Sequence, residues 1–148
     1  MKRMKILACI AASFAMLIWT WPQPSHANSL AATPVIDWSN EARRAIVPAA
    51  AGPENYGNKF PGEAAVYMGI VHAAIYDAAV AIEGGYEPYA IALSAPPNTS
   101  PAAAIATAAH HTLVGLQPQL GLSPAQQAIL DGDYNAYPPQ SWTTTPRR

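Results

Sequence analysis

Cysteine is all but missing: the 148 residues hold one, Cys9. A lone thiol builds no disulfide framework and leaves no thiolate pair for zinc. Charge is scarce too, at 11% of residues. The eight Lys and Arg residues are split between the first five positions, the middle and the last two, so no basic stripe forms and nucleic acid is not expected as a partner. Neither a G-x-S-x-G elbow nor a glycine-rich phosphate loop occurs. Strand-like alternation of useful length is absent, as is any internal repeat. What is present is alanine, the best helix former, with 15 prolines grouped mainly between the Ala-rich stretches. This pattern predicts an all-α fold: an incomplete helical bundle of about four helices with Pro-rich connections, after an N-terminal signal helix.

The N-terminus carries the layout of a secretory signal peptide. Lys2, Arg3 and Lys5 precede an uncharged run over residues 6–19, which is short for a bilayer span. Pro22 and Pro24 break that run, and Ser25-His26-Ala27 offers small residues where a signal peptidase reads. Residues 1–27 are therefore expected to be cleaved, leaving an exported chain, periplasmic or secreted, with no stable membrane span. An uncleaved anchor is the alternative. Cleavage takes Cys9 away and leaves five basic side chains against nine acidic ones, a net charge of −4. Such a chain must hold together by packing alone.

Residues 28–34 read as a flexible leader. Asp37 or Ser39 then suits the N-cap of a first helix, whose apolar face is Trp38, Ala42, Ala45 and Ile46 and which Pro48 ends. Residues 49–60 are loop, rich in Gly, Pro and Asn. Pro61 opens a second helix with Glu63 in its first turn, and Gly84 or Gly85 stops it. That helix is apolar all the way round, the mark of a helix in the middle of a bundle. Ser100-Pro101 and Ser123-Pro124 are hydroxyl caps followed by proline, and they start a third and a fourth helix. The domain is expected to span residues 28–137. Residues 138–148 have neither periodicity nor a cap and are expected to be disordered.

The chemical candidates are few. His72 and Tyr76 share a helix face four residues apart, and Asp77 lies about 140° round from His72. These residues suit a metal site, an acid–base pair or structural hydrogen bonds, and no third metal ligand is evident. A metal-binding reading would have to recruit His110. His110 and His111 point about 100° apart, so one is expected in the core and one in solvent. Asp131-Gly132-Asp133 lacks the spacing of a calcium loop. No catalytic, cofactor-binding or metal residue is assigned from these patterns.

The stretch His72-Ala-Ala-Ile-Tyr76-Asp77-Ala78 within the second helix resembles the N-terminal region of bacterial vanadium-dependent haloperoxidase-like proteins, of the phosphatidic acid phosphatase type 2 superfamily. The flanks agree: Val35-Ile36-Asp37-Trp38, Tyr86-Glu87-Pro88-Tyr89, Ser100-Pro101 followed by Ala102, Ala103 and Ala104, and Ala109-His110. The resemblance covers about residues 35–137. It makes His72, Tyr76 and Asp77 a structural family signature. It also implies an exported enzyme whose pocket holds vanadate, for halide oxidation with peroxide, or a substrate phosphate. The family's catalytic set, a Lys, two Arg, a Ser-Gly-His triplet and a further His, belongs to its C-terminal half and has no counterpart in this sequence. The chain is then expected to be a fragment, inactive alone and without a cofactor of its own. Either the missing C-terminal helical half or self-association would have to cover the apolar second helix. Residues 138–148, read with the frame moved back one base, can continue the helix, so a frameshift near Tyr137 that truncates a longer product is expected. A small exported helical interaction module is the alternative reading.

Overall fold

A computed structural model describes residues 29–137, with side chains from Thr33 onward. The expected signal peptide and the expected disordered, frameshifted tail lie outside the described residues. Those residues are all-α. Helix α1 is Ser29–Ile46, α2 is Pro61–Glu83, α3 is Pro101–Gly115, α4 is Gln117–Leu120 and α5 is Pro124–Ala136. A single turn of 3-10 helix, Ala49–Ala51, follows α1.

Helix α1 begins eight residues before Asp37, so the expected leader is helical and Asp37 and Ser39 are interior residues rather than caps. Pro34 lies inside α1 and forfeits one backbone hydrogen bond. Its ring is buried one turn before Trp38, and that burial offsets the loss. The predicted ends elsewhere hold. Ser100 Oγ accepts from the Ala103 amide at the start of α3. Ser123 and Gln126 form a reciprocal capping box at the start of α5, at 3.3 and 2.8 Å. Gly84 and Gly85 take positive φ after α2. Helix α4 is an addition to the expected elements: Gln117-Pro118 starts one turn, and Gly121 ends it in the left-handed conformation.

The core is built where α1, α2 and α3 meet. Trp38, Ala42, Ala45 and Ile46 come from α1, Val71 and Ile75 from α2, and Ile105, Ala106, Ala109 and Leu113 from α3. Leu120, Leu122 and Leu130 close it from the far side. Helix α3 is the hub, packing on α2, α1, α5 and α4. Ala106 and Ala109 on its surface are fully buried and let its neighbours approach closely.

The second helix is therefore not the buried axle its composition suggests. It is a wall of the bundle: Ala64, Val71, Ile75 and Asp77 are its only buried residues. Val66 is 61% exposed, Ile70 41% and Tyr76 42%. Helical periodicity identifies a central helix by its all-round apolarity, but it cannot tell that Ala-rich α3 competes better for the centre. By length and composition alone α2 could cross a membrane, with a mean hydropathy of 1.6 over its most apolar window, and 17% of that window is buried.

The loop between α1 and α2 is tied down residue by residue. The Tyr56 and Gly57 amides donate to the Arg44 carbonyl, and the Lys59 amide donates to that of Ile46. A Cβ on Gly57 would run into the Ile46 carbonyl group, so this close approach requires glycine.

Candidate functional site

His72, Tyr76 and Asp77 do not converge on a site. Helix α2 sends each to a different neighbour. His72 Nε2 shares a 3.2 Å hydrogen bond with Ser39 Oγ and links α2 to α1. Tyr76 OH donates to the Glu87 carbonyl at 3.1 Å. The Asp77 carboxylate accepts three consecutive amides of the segment after α2, from Tyr89 (2.5 Å), Ala90 (3.0 Å) and Ile91 (2.9 Å). Burial pushes the Asp77 carboxyl up, but the three amides outweigh it and hold its pKa below the ordinary 3.8. Tyr76 and Asp77 together fasten one strap over the C-terminal end of α2, while His72 ties α2 to α1.

His110 enters the core and His111 faces solvent, as helical geometry predicts. His110 stacks on Tyr134 with ring centroids 4.2 Å apart, lies edge-on to Trp38, and its Nε2–H donates to Asp131 Oδ1 at 2.8 Å. A His–Asp pair of this kind can act as a base only if the second ring nitrogen reaches substrate. His110 Nδ1 is buried with no hydrogen-bond partner, so the pair has no outlet. No group of three or more potential metal ligands occurs among the described residues. His72, Asp77 and His110, the trio a metal site would need, are each engaged elsewhere.

The described cations are all neutralised. Arg43 pairs with Glu54 at 2.8 Å and reaches Asn55. Arg44 pairs with Glu41 at 2.7 Å and Asp133 at 2.9 Å. Lys59 pairs with Glu63 at 3.3 Å. Arg44 is the most instructive, because it ties α5 to α1 across 89 positions of sequence. The pairing of Glu41 with Arg44 one turn away is legible in the sequence, whereas Asp133 as the third member is not. Burial raises the Glu41 pKa; Arg44 opposes the shift and Asp133 adds to it.

Two concave regions stand out among the described residues. One is a cleft of about 430 Å³ between α1 and α5, lined by Asp37, Asn40, Glu41, Asp133 and Tyr137 among others. Three carboxylates at its wall repel a phosphate or vanadate. The other is an open groove of about 590 Å³ on the outer face of α2, lined by Gly69, Ala73, Tyr76, Glu87, Pro88 and Tyr89. Its lining holds no cation; its polar side chains are Tyr76, whose hydroxyl already donates to the Glu87 carbonyl, Glu87 and Tyr89. Its chemistry suits an apolar surface. Sequence reasoning misses this groove, because its two sides are brought together only by the Asp77 strap.

No family model, curated protein or solved structure matches the chain.

Proposed function

We propose that this chain is the non-catalytic helical part of an exported enzyme of the vanadium-dependent haloperoxidase-like or acid phosphatase-like kind. In this reading it braces a catalytic half that carries the oxyanion clamp for vanadate or substrate phosphate. The signature of residues 72–78 and its flanks motivates the reading. The observation that carries it is the state of the cations: Arg43, Arg44 and Lys59 are each held by a carboxylate. An oxyanion clamp needs cationic donors free to fork onto oxygen. These are committed to building the fold instead.

The purified chain, supplied with vanadate, peroxide and bromide, is expected to brominate no indicator dye. Supplied with an aryl phosphate, it is expected to release no phenol above buffer. Turnover in either assay that disappears in Arg44→Ala would overturn the reading. The DNA downstream of the coding region offers a second check, since an open frame there is expected to encode a Ser-Gly-His triplet. The alternative is an exported helical interaction module without catalysis. The open apolar groove on α2 favours it, and it predicts no such downstream frame.

A further inference from the structure

We propose that the groove between α2 and the strap at residues 87–89 binds a quaternary ammonium group, the charged head of a choline-like ligand. The inference concerns the lining of this one groove and does not depend on the enzyme reading.

The first observation is that both sides of the groove are fixed. Gly69, Ala73 and Tyr76 follow one another at spacings of four and three, so they share one side of α2 and form the floor. Glu87, Pro88 and Tyr89 form the opposite wall. Tyr76 OH anchors that wall at the Glu87 carbonyl, and the Asp77 carboxylate anchors it at the Tyr89 amide. Pro88, between the two anchors, has its own φ locked by its ring. The walls are set before a ligand arrives, which spares part of the ordering cost of binding. At about 590 Å³ the groove is of the size small-molecule sites have, roughly 300–1,000 Å³.

The second observation is the charge of the lining. Glu41, Glu54 and Glu63 are each paired with a cation, but the Glu87 carboxylate makes no ion pair and no hydrogen bond among the described residues. No Lys or Arg lines the groove to compete for it. Tyr76 is 42% exposed and Tyr89 79%, so both rings are open to a ligand. The face of an aromatic ring is negative and attracts a cation within about 6 Å of its centroid. Two tyrosines and a free carboxylate therefore favour positive charge and repel an anion.

The third observation selects among cations. A metal ion needs several oxygen or nitrogen ligands, and the lining has one carboxylate. A primary ammonium has three N–H donors to satisfy, and the floor of Gly69 and Ala73 offers no side-chain acceptor. A quaternary ammonium has no donor. It spreads its charge over methyl groups, which suit an apolar floor, while the aromatic faces and Glu87 meet the charge. Gly69 keeps that floor low, since the place its Cβ would take is open space.

The test uses the full chain, expressed with its own export signal and purified as the cell leaves it, with choline as the probe. Choline is expected to shift the ring-proton resonances of Tyr76 and Tyr89 saturably. Its neutral isostere, 3,3-dimethyl-1-butanol, is expected to bind about fivefold more weakly or worse. Glu87 and Tyr89 serve the strap through backbone atoms, so Glu87→Gln and Tyr89→Ala are expected to keep the helical circular dichroism. Each is expected to weaken choline about two- to fivefold, whereas Tyr89→Phe keeps the ring and the affinity. Absence of a saturable shift would overturn the proposal. So would equal binding of the neutral isostere, or an unchanged affinity in both Glu87→Gln and Tyr89→Ala. Flotation with phosphatidylcholine vesicles that free choline competes away would uphold the site and give its ligand as a lipid head. Choline binding without flotation would uphold it and give the ligand as a soluble molecule. Flotation with phosphatidylglycerol vesicles just as readily would show an apolar face without charge preference and overturn it.

Discussion

Asp77 shows how much one side chain can organise when its partners are backbone amides. Three consecutive N–H groups converge on its carboxylate, and residues 89–91 have no regular secondary structure to satisfy them otherwise. Because the folded pKa is depressed, the carboxylate contributes stability that is fully present above its unfolded value, near 3.8, and is lost as pH falls through the lower folded value. Thermal melts of the wild type taken from pH 5 down to pH 2 are expected to fall across that window. Asp77→Asn is expected to melt lower at pH 5 and to show a flatter profile below it. Trp38 is the second residue on which much depends: it is 1% exposed and meets the rings of His110, Tyr134 and Tyr137 edge-on. Trp38→Ala is expected to cost about 3–5 kcal/mol in urea unfolding. The core position of Trp38 is legible from helical spacing with Ala42 and Ala45. The role of Asp77 is not, because its partners lie 12 to 14 residues away in a segment without periodicity.

At the scale of elements, local chemistry sets the boundaries and packing sets the ranks. Proline after a hydroxyl residue places the starts of α3 and α5, and paired glycines place the end of α2. These signals are readable because caps act within a single turn. Ser123→Ala removes one half of the α5 capping box and is expected to lower stability by about 1 kcal/mol, measured by denaturant midpoint. The start of α1 escapes such reasoning because Pro34 is an interior helical residue whose ring is buried, an energy that local propensity does not contain. The rank of α2 escapes it for a related reason. Its apolarity exceeds what one side of a helix needs, and nothing in its own sequence says which side faces α3. The outer groove depends on tertiary placement twice over, since it is formed by an uncovered helix and a strap that Asp77 folds across it.

For the molecule as a whole, two tyrosines record how tightly the α1–α5 side closes. Burial, reinforced by Glu41, pushes Tyr56 up to about 12. Burial, reinforced by Asp37, does the same for Tyr137, whose hydroxyl donates to Asp37 at 3.3 Å. A phenol whose folded pKa is raised contributes stability present below its unfolded value, about 10, and lost as pH rises through the folded value. Ultraviolet titration is expected to show a late-ionising component near pH 12, and unfolding between pH 10 and 12 is expected to release it early. Tyr137→Phe is expected to remove part of that late component with the helix content intact.

The Arg44–Asp133 pair carries one more consequence, and it concerns time. The two residues are 89 positions apart, while Glu41 is three away. Any machine that delivers the chain from its N-terminus presents Arg44 with Glu41 at once and with Asp133 only at the end. At ribosomal speeds of about 5–20 residues per second the wait is on the order of 4–18 seconds. Only once α3 is complete at Gly115, late in that interval, can α1, α2 and α3 assemble around Ile105 and Leu113, and the α1 side stays open until α5 arrives. Helix α5 is the last described helix to emerge, so before it docks the α1 side of the core is open to proteases.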